Sequence, residues 1–469
     1  MAGGINFSGL ASGIDTAALI QATSDSTRQA RVTPHQKKVT ELEETNTAID
    51  ELSNKLDLLK TSLKQFTTLN GGGVSKSGSS SKESVLAATV SNSAVNGAYS
   101  VTVNSLAKNH TFSFDTTFGA LSDPIEAALT GAEAAVDRTV SFTIGSGAEQ
   151  ESVDVEVADG SYSVSDFVAA FNAASAKAQA SVVNTGSAGS PAYKIVITSN
   201  YEGTEKGAIV RTGSGAALLG MASYSEDAAA DASVSISGIG TVTRATNTVS
   251  DVIPGVTLTL ASQGSSTVRV TEDADATVSK VQDFVDSYNE IVKFISDNNV
   301  VTRDETKKEV TNTFGPLSGT RVDDNVLSSL RSALSSAVAS GGSAARIFAD
   351  LGITTQRDGS LAFDSTKLRS AIAAEPTSVS QILSSFADTA ATTGGTIDLY
   401  TRYNGLLDLS VTNNKDAIAS LNERIQEAER QIQRQEEAMR ARYARLESVM
   451  SRLQQQQSSL TSALSGLGK

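Results

Sequence analysis

Leu42, Thr45, Ile49, Leu52, Leu56, Leu59, Leu63 and Phe66 recur at alternating steps of three and four. On a helix that spacing lays one apolar stripe along a single face, as in a coiled-coil seam or a helix docked on a core. The series runs up to Asn70-Gly71-Gly72-Gly73, where glycine ends a helix with little strain because it accepts positive φ. The Ser, Gly and Lys residues from there to Ser81 read as a linker. The far end of the chain repeats the rhythm. Ile418, Leu421, Ile425, Ala428, Ile432, Gln435 and Met439 step in the same way, and Leu446, Met450, Leu453, Gln457, Leu460, Leu464 and Leu467 continue it. Two successive steps of four, Gln435 to Met439 to Tyr443, form a stutter, which locally unwinds a supercoil. Glu427 with Arg430 and Glu436 with Arg440 support this helix, whereas Glu423 and Glu427 repel.

Between these ends the period changes to two. Tyr99-Ser-Val-Thr-Val103, residues 152–157, Val256-Thr-Leu-Thr-Leu260 and Thr267-Val-Arg-Val270 alternate as half-buried strands do. Pro254-Gly255 and Gln263-Gly264 mark turns around the third of these. One helix, 165–177, interrupts the body with Phe167, Val168 and Phe171 on its apolar side. Helical spacing returns with Val278, Val281, Val285, Tyr288, Val292 and Ile295. A helix over 323–339, a strand-turn unit over 351–363 and one helix over 365–386 come after it. The order is helix, sheet, helix. It predicts an α+β multidomain protein whose coiled-coil-like ends meet in space, with the β body inserted between them.

Composition excludes several functions. With 39% hydrophobic residues in 469, the chain can bury cores in two to four domains of about 100–200 residues each. The net charge is −14. Residues 120–239 carry 15 acidic against 5 basic side chains, whereas 411–469 carry 7 against 9. The body therefore has no basic nucleic-acid footprint, and its acidic middle reads as a solvated outer domain. Without cysteine, disulfides and thiolate metal sites are excluded. No apolar run approaches the roughly 18 residues of a membrane span. Residues 1–10 lack the basic-then-apolar pattern of a cleaved secretory signal, so export, if it occurs, is expected by another route.

Catalytic chemistry is thin. The two histidines, His35 and His110, lie in different regions and read as solvated surface side chains. No nucleophile elbow or phosphate loop is present. Glu272-Asp273-Ala274-Asp275 offers oxygen ligands without calcium-loop spacing, and reads as a strand-to-helix junction with Asp275 or Thr277 as N-cap. Gly145-Ser-Gly147 and the glycines of 213–215 read as turns. No enzyme activity, cofactor or metal is expected. The amphipathic ends carry the functional signal. Gln435, Tyr443 and Gln457 make the C-terminal stripe too polar for a dry core, so part of it is expected to be shared between protein copies or with partners.

Five stretches in order carry a resemblance: Phe7-Ser-Gly-Leu-Ala-Ser-Gly-Ile-Asp15, Gly97-Ala-Tyr-Ser-Val-Thr-Val-Asn-Ser-Leu-Ala107, Val249-Ser-Asp-Val-Ile-Pro-Gly-Val-Thr-Leu-Thr-Leu260, Leu351-Gly-Ile-Thr354 with Asp358-Gly-Ser-Leu361, and Ala441-Arg-Tyr-Ala-Arg-Leu-Glu-Ser-Val-Met450. Together they resemble the flagellar hook-associated protein 2 family, the filament caps. Residues 120–235 match poorly.

The resemblance implies a homo-oligomeric ring, a pentamer favoured, at the distal tip of the filament. There it promotes flagellin polymerisation and prevents leakage of unpolymerised subunits. It implies secretion through the flagellar type III export apparatus with an export chaperone, and contact with hook-filament junction proteins. Some members also adhere to host mucus. It divides the chain into a foot (1–42 and 411–469), a leg (43–78 and 275–410), an inner β head (83–119 and 236–274) and an outer β head (120–235). The foot is expected to be largely disordered in the free protein and to order on flagellin's terminal helices. Leu421, Ile425, Ile432, Leu446 and Leu453 are the candidate flagellin-contacting residues, and deletion of 411–469 is expected to leave a folded body. Other readings of the same pattern are a hook-filament junction protein, a flagellin, or a secreted glycan-binding or hydrolytic protein.

Overall fold

The computed structural model describes residues 15–125, 138–157, 162–187, 189–213, 223–304, 311–340 and 345–466. The chain begins with helices α1 (Thr16–Arg31) and α2 (Thr33–Lys64). Strands β1 (Lys76–Ser80), β2 (Leu86–Val90), β3 (Gly97–Ser105), β4 (Asn109–Phe114), β5 (Thr139–Ile144) and β6 (Glu151–Glu156) come next. Helix α3 (Val164–Ala174), β7 (Ala178–Asn184), β8 (Tyr193–Glu202), the short α4 (Thr204–Gly207) and β9 (Ile209–Thr212) succeed them. The β body ends with β10 (Tyr224–Asp227), β11 (Ala232–Ile236), β12 (Gly240–Arg244), β13 (Thr248–Ile253), β14 (Val256–Leu260) and β15 (Gly264–Glu272). Then come α5 (Ala274–Asn298), the hairpin β16 (Val301–Asp304) and β17 (Thr311–Phe314), α6 (Val322–Ser336), and the hairpin β18 (Ile353–Thr355) and β19 (Leu361–Phe363). Helices α7 (Ser365–Ala374), α8 (Pro376–Ala391), α9 (Thr396–Thr401) and α10 (Leu406–Gly466) complete the chain. Contacts divide it into two compact units, one of Met1–Thr67, Ser279–Leu368 and Gln381–Lys469, the other of Thr68–Val278 and Arg369–Ser380.

In the helical unit the α2 stripe is the core. Ile49, Leu52, Leu56, Leu59, Leu63 and Phe66 are all buried, while Leu42 and Thr45 at its start are half-buried. On α5, Val281, Val285, Tyr288, Val292 and Ile295 are buried as the spacing predicts, and Phe284 and Ile291 beside them widen the stripe. A core-facing helix buries more than a two-in-seven seam. Phe284, Phe348 and Phe386 cluster with ring centroids 5.4 to 6.3 Å apart. Asn289 clamps β19 through both ends of its side-chain amide, Nδ2 donating to Leu361 O at 2.9 Å and Oδ1 accepting from Leu361 N–H at 2.7 Å. Lys60 Nζ bonds Asp398 Oδ1 at 2.7 Å, and with the Gly394 N–H it holds that carboxyl below the usual carboxylate range.

The β unit holds two cores. The inner one lies between the sheets β1-β15-β3-β11-β12 and β13-β14-β2 and is built of Val101, Val103, Val234, Leu258, Val268 and their neighbours. The outer one lies between β10-β4-β8-β7 and β6-β5-β9, closed by α3, and is rich in phenylalanine: Phe112, Phe114, Phe142, Phe167 and Phe171. Ser163 caps α3 in a reciprocal capping box with Asp166. Between β13 and β14 the turn residue Gly255 has φ +75°, and a Cβ there would lie 2.7 Å from Ala94 N.

Several sequence expectations are corrected. The stretch read as a linker contains β1, paired antiparallel with β15 from Lys76–Glu272 to Ser80–Val268. It is held by backbone ladder and hydroxyls, Ser266 Oγ reaching Ser80 at 2.8 Å and Lys82 N–H at 3.0 Å, so it carries no apolar signal. The helix before it ends at Lys64, short of the glycines and of residue 78. β4 belongs to the outer core through Phe112 and Phe114, and β11 pairs with β3 of the inner sheet. The outer head therefore starts before 120 and ends before 235. The helix expected over 365–386 is two, because Pro376 has no N–H and disfavours helical backbone at Glu375. Asp273, rather than Asp275 or Thr277, caps α5, accepting from Ala276 N–H at 2.8 Å. Thr277 is buried and accepts from Ser75 N–H at 2.9 Å, and Asp275 pairs with Arg369 at 2.9 Å. His110 is buried rather than solvated.

The stripe's register is open to direct test. Leu56→Ala should destabilise the chain by about 2–5 kcal/mol in chemical unfolding. Leu58→Ala, on the exposed face of the same helix, should stay within about 0.5 kcal/mol of the parent.

Candidate protein-docking surface on the terminal helices

Asp15, the last residue of the first motif, caps α1 by accepting from Ala18 N–H at 2.9 Å; residues 7–14 of that motif lie outside the described residues. α1 passes into α2 through Val32, which is fully buried, and Pro34 stands in the first turn of α2. Both helices pack on α10. Asn46 bonds Asn414 at 2.8 Å and Arg28 bonds Glu429 at 2.9 Å, so partner numbers rise on one side as they fall on the other. The N-terminal helices therefore run antiparallel to α10. The Arg28–Glu429 pair is two-pronged, Nη2 reaching Oε2 at 3.1 Å, a planar geometry that adds direction to charge. Arg31 adds a bond to Gln431 at 3.3 Å.

α10 is one unbroken helix across the expected foot boundary at 410/411. At about 1.5 Å per residue it is about 90 Å long. Its apolar stripe keeps one rhythm but changes environment along its length. Leu407 and Val411 are buried against the helical unit. Of the five residues selected from sequence, Leu421 and Ile425 are half-buried and Ile432 is 1% exposed, a core residue of the helical pairing. Leu446 and Leu453 are 48% and 53% exposed. Val449, Met450, Leu460 and Leu464 are open as well. The five thus do not form one surface: three lie within the chain's own packing and two on an exposed face. Val449, Leu460 and Leu464 extend that face, and the uninterrupted rhythm beyond Tyr443 was the signal for the last two. Deleting 411–469 would remove Val411, Ile432 and the Asn46 and Arg28 partners, so it dismantles helical core as well as the open end.

The expected support along α10 is present: Arg430 and Arg434 reach Glu427 at 3.2 and 3.3 Å, and Arg440 reaches Glu436 at 3.8 Å. Gln431 and Arg434 hold the Glu427 carboxyl below its ordinary range. His35 lines a shallow, open cleft with Arg31, Pro34, Arg424 and Glu427. Among the described residues no group of three or more His, Asp or Glu side chains could hold a metal ion, and no helix is long and apolar enough to cross a membrane.

The family model described as the flagellar hook-associated protein 2 C-terminus matches residues 229–455, and the one described as its N-terminus matches residues 12–110. The chain belongs to the flagellar hook-associated protein 2 family. It is similar to the B-type flagellar hook-associated protein 2 of Pseudomonas aeruginosa, 27% identical over 431 residues that span 86% of each chain. The flagellar hook-associated protein 2 of Escherichia coli K12 is 23% identical over 394 residues, 80% of this chain and 79% of that one. In fold it is similar to the D1-D2-D3 domains of the Escherichia coli flagellar cap protein FliD, with a TM-score of 0.57 and 22% identity, over 78% of this chain and 99% of that structure. The family is a structural flagellar one. Residues 111–228, most of the outer β head, fall between the two family models.

Ile432→Ala should separate the two uses of the stripe. The expected result is a loss of about 2–4 kcal/mol with faster hydrogen exchange across α1. Leu453→Ala should change neither.

Proposed function

We propose that this chain caps the flagellar filament. Copies associate as a ring at the distal tip, a pentamer favoured, with the α10 end as the foot, the helical unit as the leg and the two β cores as inner and outer head. The ring promotes flagellin polymerisation and keeps unpolymerised subunits from leaking away. The chain reaches the tip through the flagellar type III export apparatus with an export chaperone, and adjoins the hook-filament junction proteins before filament growth.

One observation carries this reading. Leu446, Val449, Met450, Leu453, Leu460 and Leu464 continue a core stripe onto an exposed face that no other described residue covers. Such a face is completed by another amphipathic helix, and flagellin's terminal helices are the proposed occupant. Each contact is small and half-wet, which suits a cap that steps aside as each subunit adds. Flanking Gln454 to Gln457 leave the face soluble while it is vacant.

The test is complementation of cells that lack their cap. The full chain should restore filaments. A chain ending at Ala444 keeps Ile432 and the Arg28 pairing, so it should melt like the parent yet leave flagellin in the medium. Leu446→Asp with Leu453→Asp should do the same. Normal filaments with either stable variant would sink the assignment of the contact face, and failure of the full chain would sink the capping function.

A further inference from the structure

The two sheets of the outer β head meet at a polar joint. β9 is the edge strand of its sheet, and its Ile209 N–H donates to Nδ1 of His110, on β4 of the other sheet, at 3.1 Å. His110 is 5% exposed. Because Nδ1 accepts, the proton of the neutral ring sits on Nε2. That N–H is buried without a hydrogen-bond partner among the described residues; Glu226 Oε2 stands 3.5 Å away, beyond good bonding distance.

The charged groups around the ring come from several elements. β10 presents Glu226 and Asp227, and Lys108, just before β4, lies 3.5 Å from Asp227. On β8, Glu202 is taken up by the Asn247 backbone and side-chain amides at 2.9 Å. On β9, Arg211 stacks over Tyr224, 4.9 Å from its ring centre. α4 carries Glu205 and Lys206.

We propose that His110 is an acid-released latch: a second proton, on Nδ1, turns the acceptor of the Ile209 amide into a donor and opens the joint between β4 and β9. Two donors then face each other, and the sheet edge loses its tie. Burial disfavours the imidazolium, and Glu226 and Asp227 offset that only in part, so the ring's pKa lies below the ordinary imidazole value. A group lowered in this way contributes stability that is complete above its unfolded pKa. That stability is lost as the pH falls below about 6.5, until the folded ring itself takes the proton. The latch is closed at neutral pH and loosens in mild acid.

Hydrogen exchange of the full chain, corrected for the intrinsic pH dependence of the amide rate, reads this directly. Between about pH 7.5 and pH 5, protection over 209–212 should fall several-fold, while β3 of the inner head keeps its own. His110→Asn places a non-titrating oxygen near Nδ1 and should abolish the fall. Equal falls in both proteins, or none in the parent, would overturn the latch. Nitrogen NMR of the parent's imidazoles supplies a readout that needs no variant of the latch. Only two histidines exist, and His35→Gln assigns the spectrum. An Nε2–H tautomer titrating below the ordinary range is expected; an Nδ1–H tautomer would refute the mechanism.

Discussion

The apolar stripe of α2 depends for its cover on helices far from it in sequence. From Ile49 to Phe66 it presents six buried side chains, and the chain then runs into a strand held by serine hydroxyls and backbone bonds. Much of its cover comes from α9 and α10, more than three hundred residues later. Because loop-closure entropy grows only slowly with length, a long excursion between two halves of one core is tolerated. The β heads are that excursion. Each has its own core, so neither depends on the helices for burial.

On α10 the same periodicity serves two ends. Up to Ile432 the stripe meets α1, α2 and α9; beyond Tyr443 it meets solvent. Pattern records which side of a helix is apolar, and carries no record of what covers that side. The polar interruptions at Gln435 and Tyr443 fall near the changeover. They keep the stripe from being apolar enough to demand cover throughout.

The helical ends, the alternating strands and the return of the C-terminus to the N-terminus were legible because each writes itself as a period in apolar residues. β1 was not, since Lys76-Ser-Gly-Ser-Ser80 spends no apolar side chain on its pairing. The burial of His110 was hidden for a different reason. Its acceptor role depends on Ile209, ninety-nine residues away, and no local pattern announces it. Among the candidate contact residues, Ile432 and Leu453 look alike in sequence; only the arrival of α1 beside one of them tells them apart. The split of α7 from α8 could have been read from Pro376 alone.

No glycine or proline occurs between Leu406 and Ser465, and the helix joining the buried and open parts of the stripe is continuous. It has no hinge of the kind that proline provides. A sideways push on the far end of α10 is therefore carried along the helix as along a stiff rod, and is felt as leverage on Val411, Asn414 and the Arg28–Glu429 clasp. Whatever engages the tip is mechanically coupled to the helical core, so occupancy at one end and strain at the other are two readings of the same bent beam.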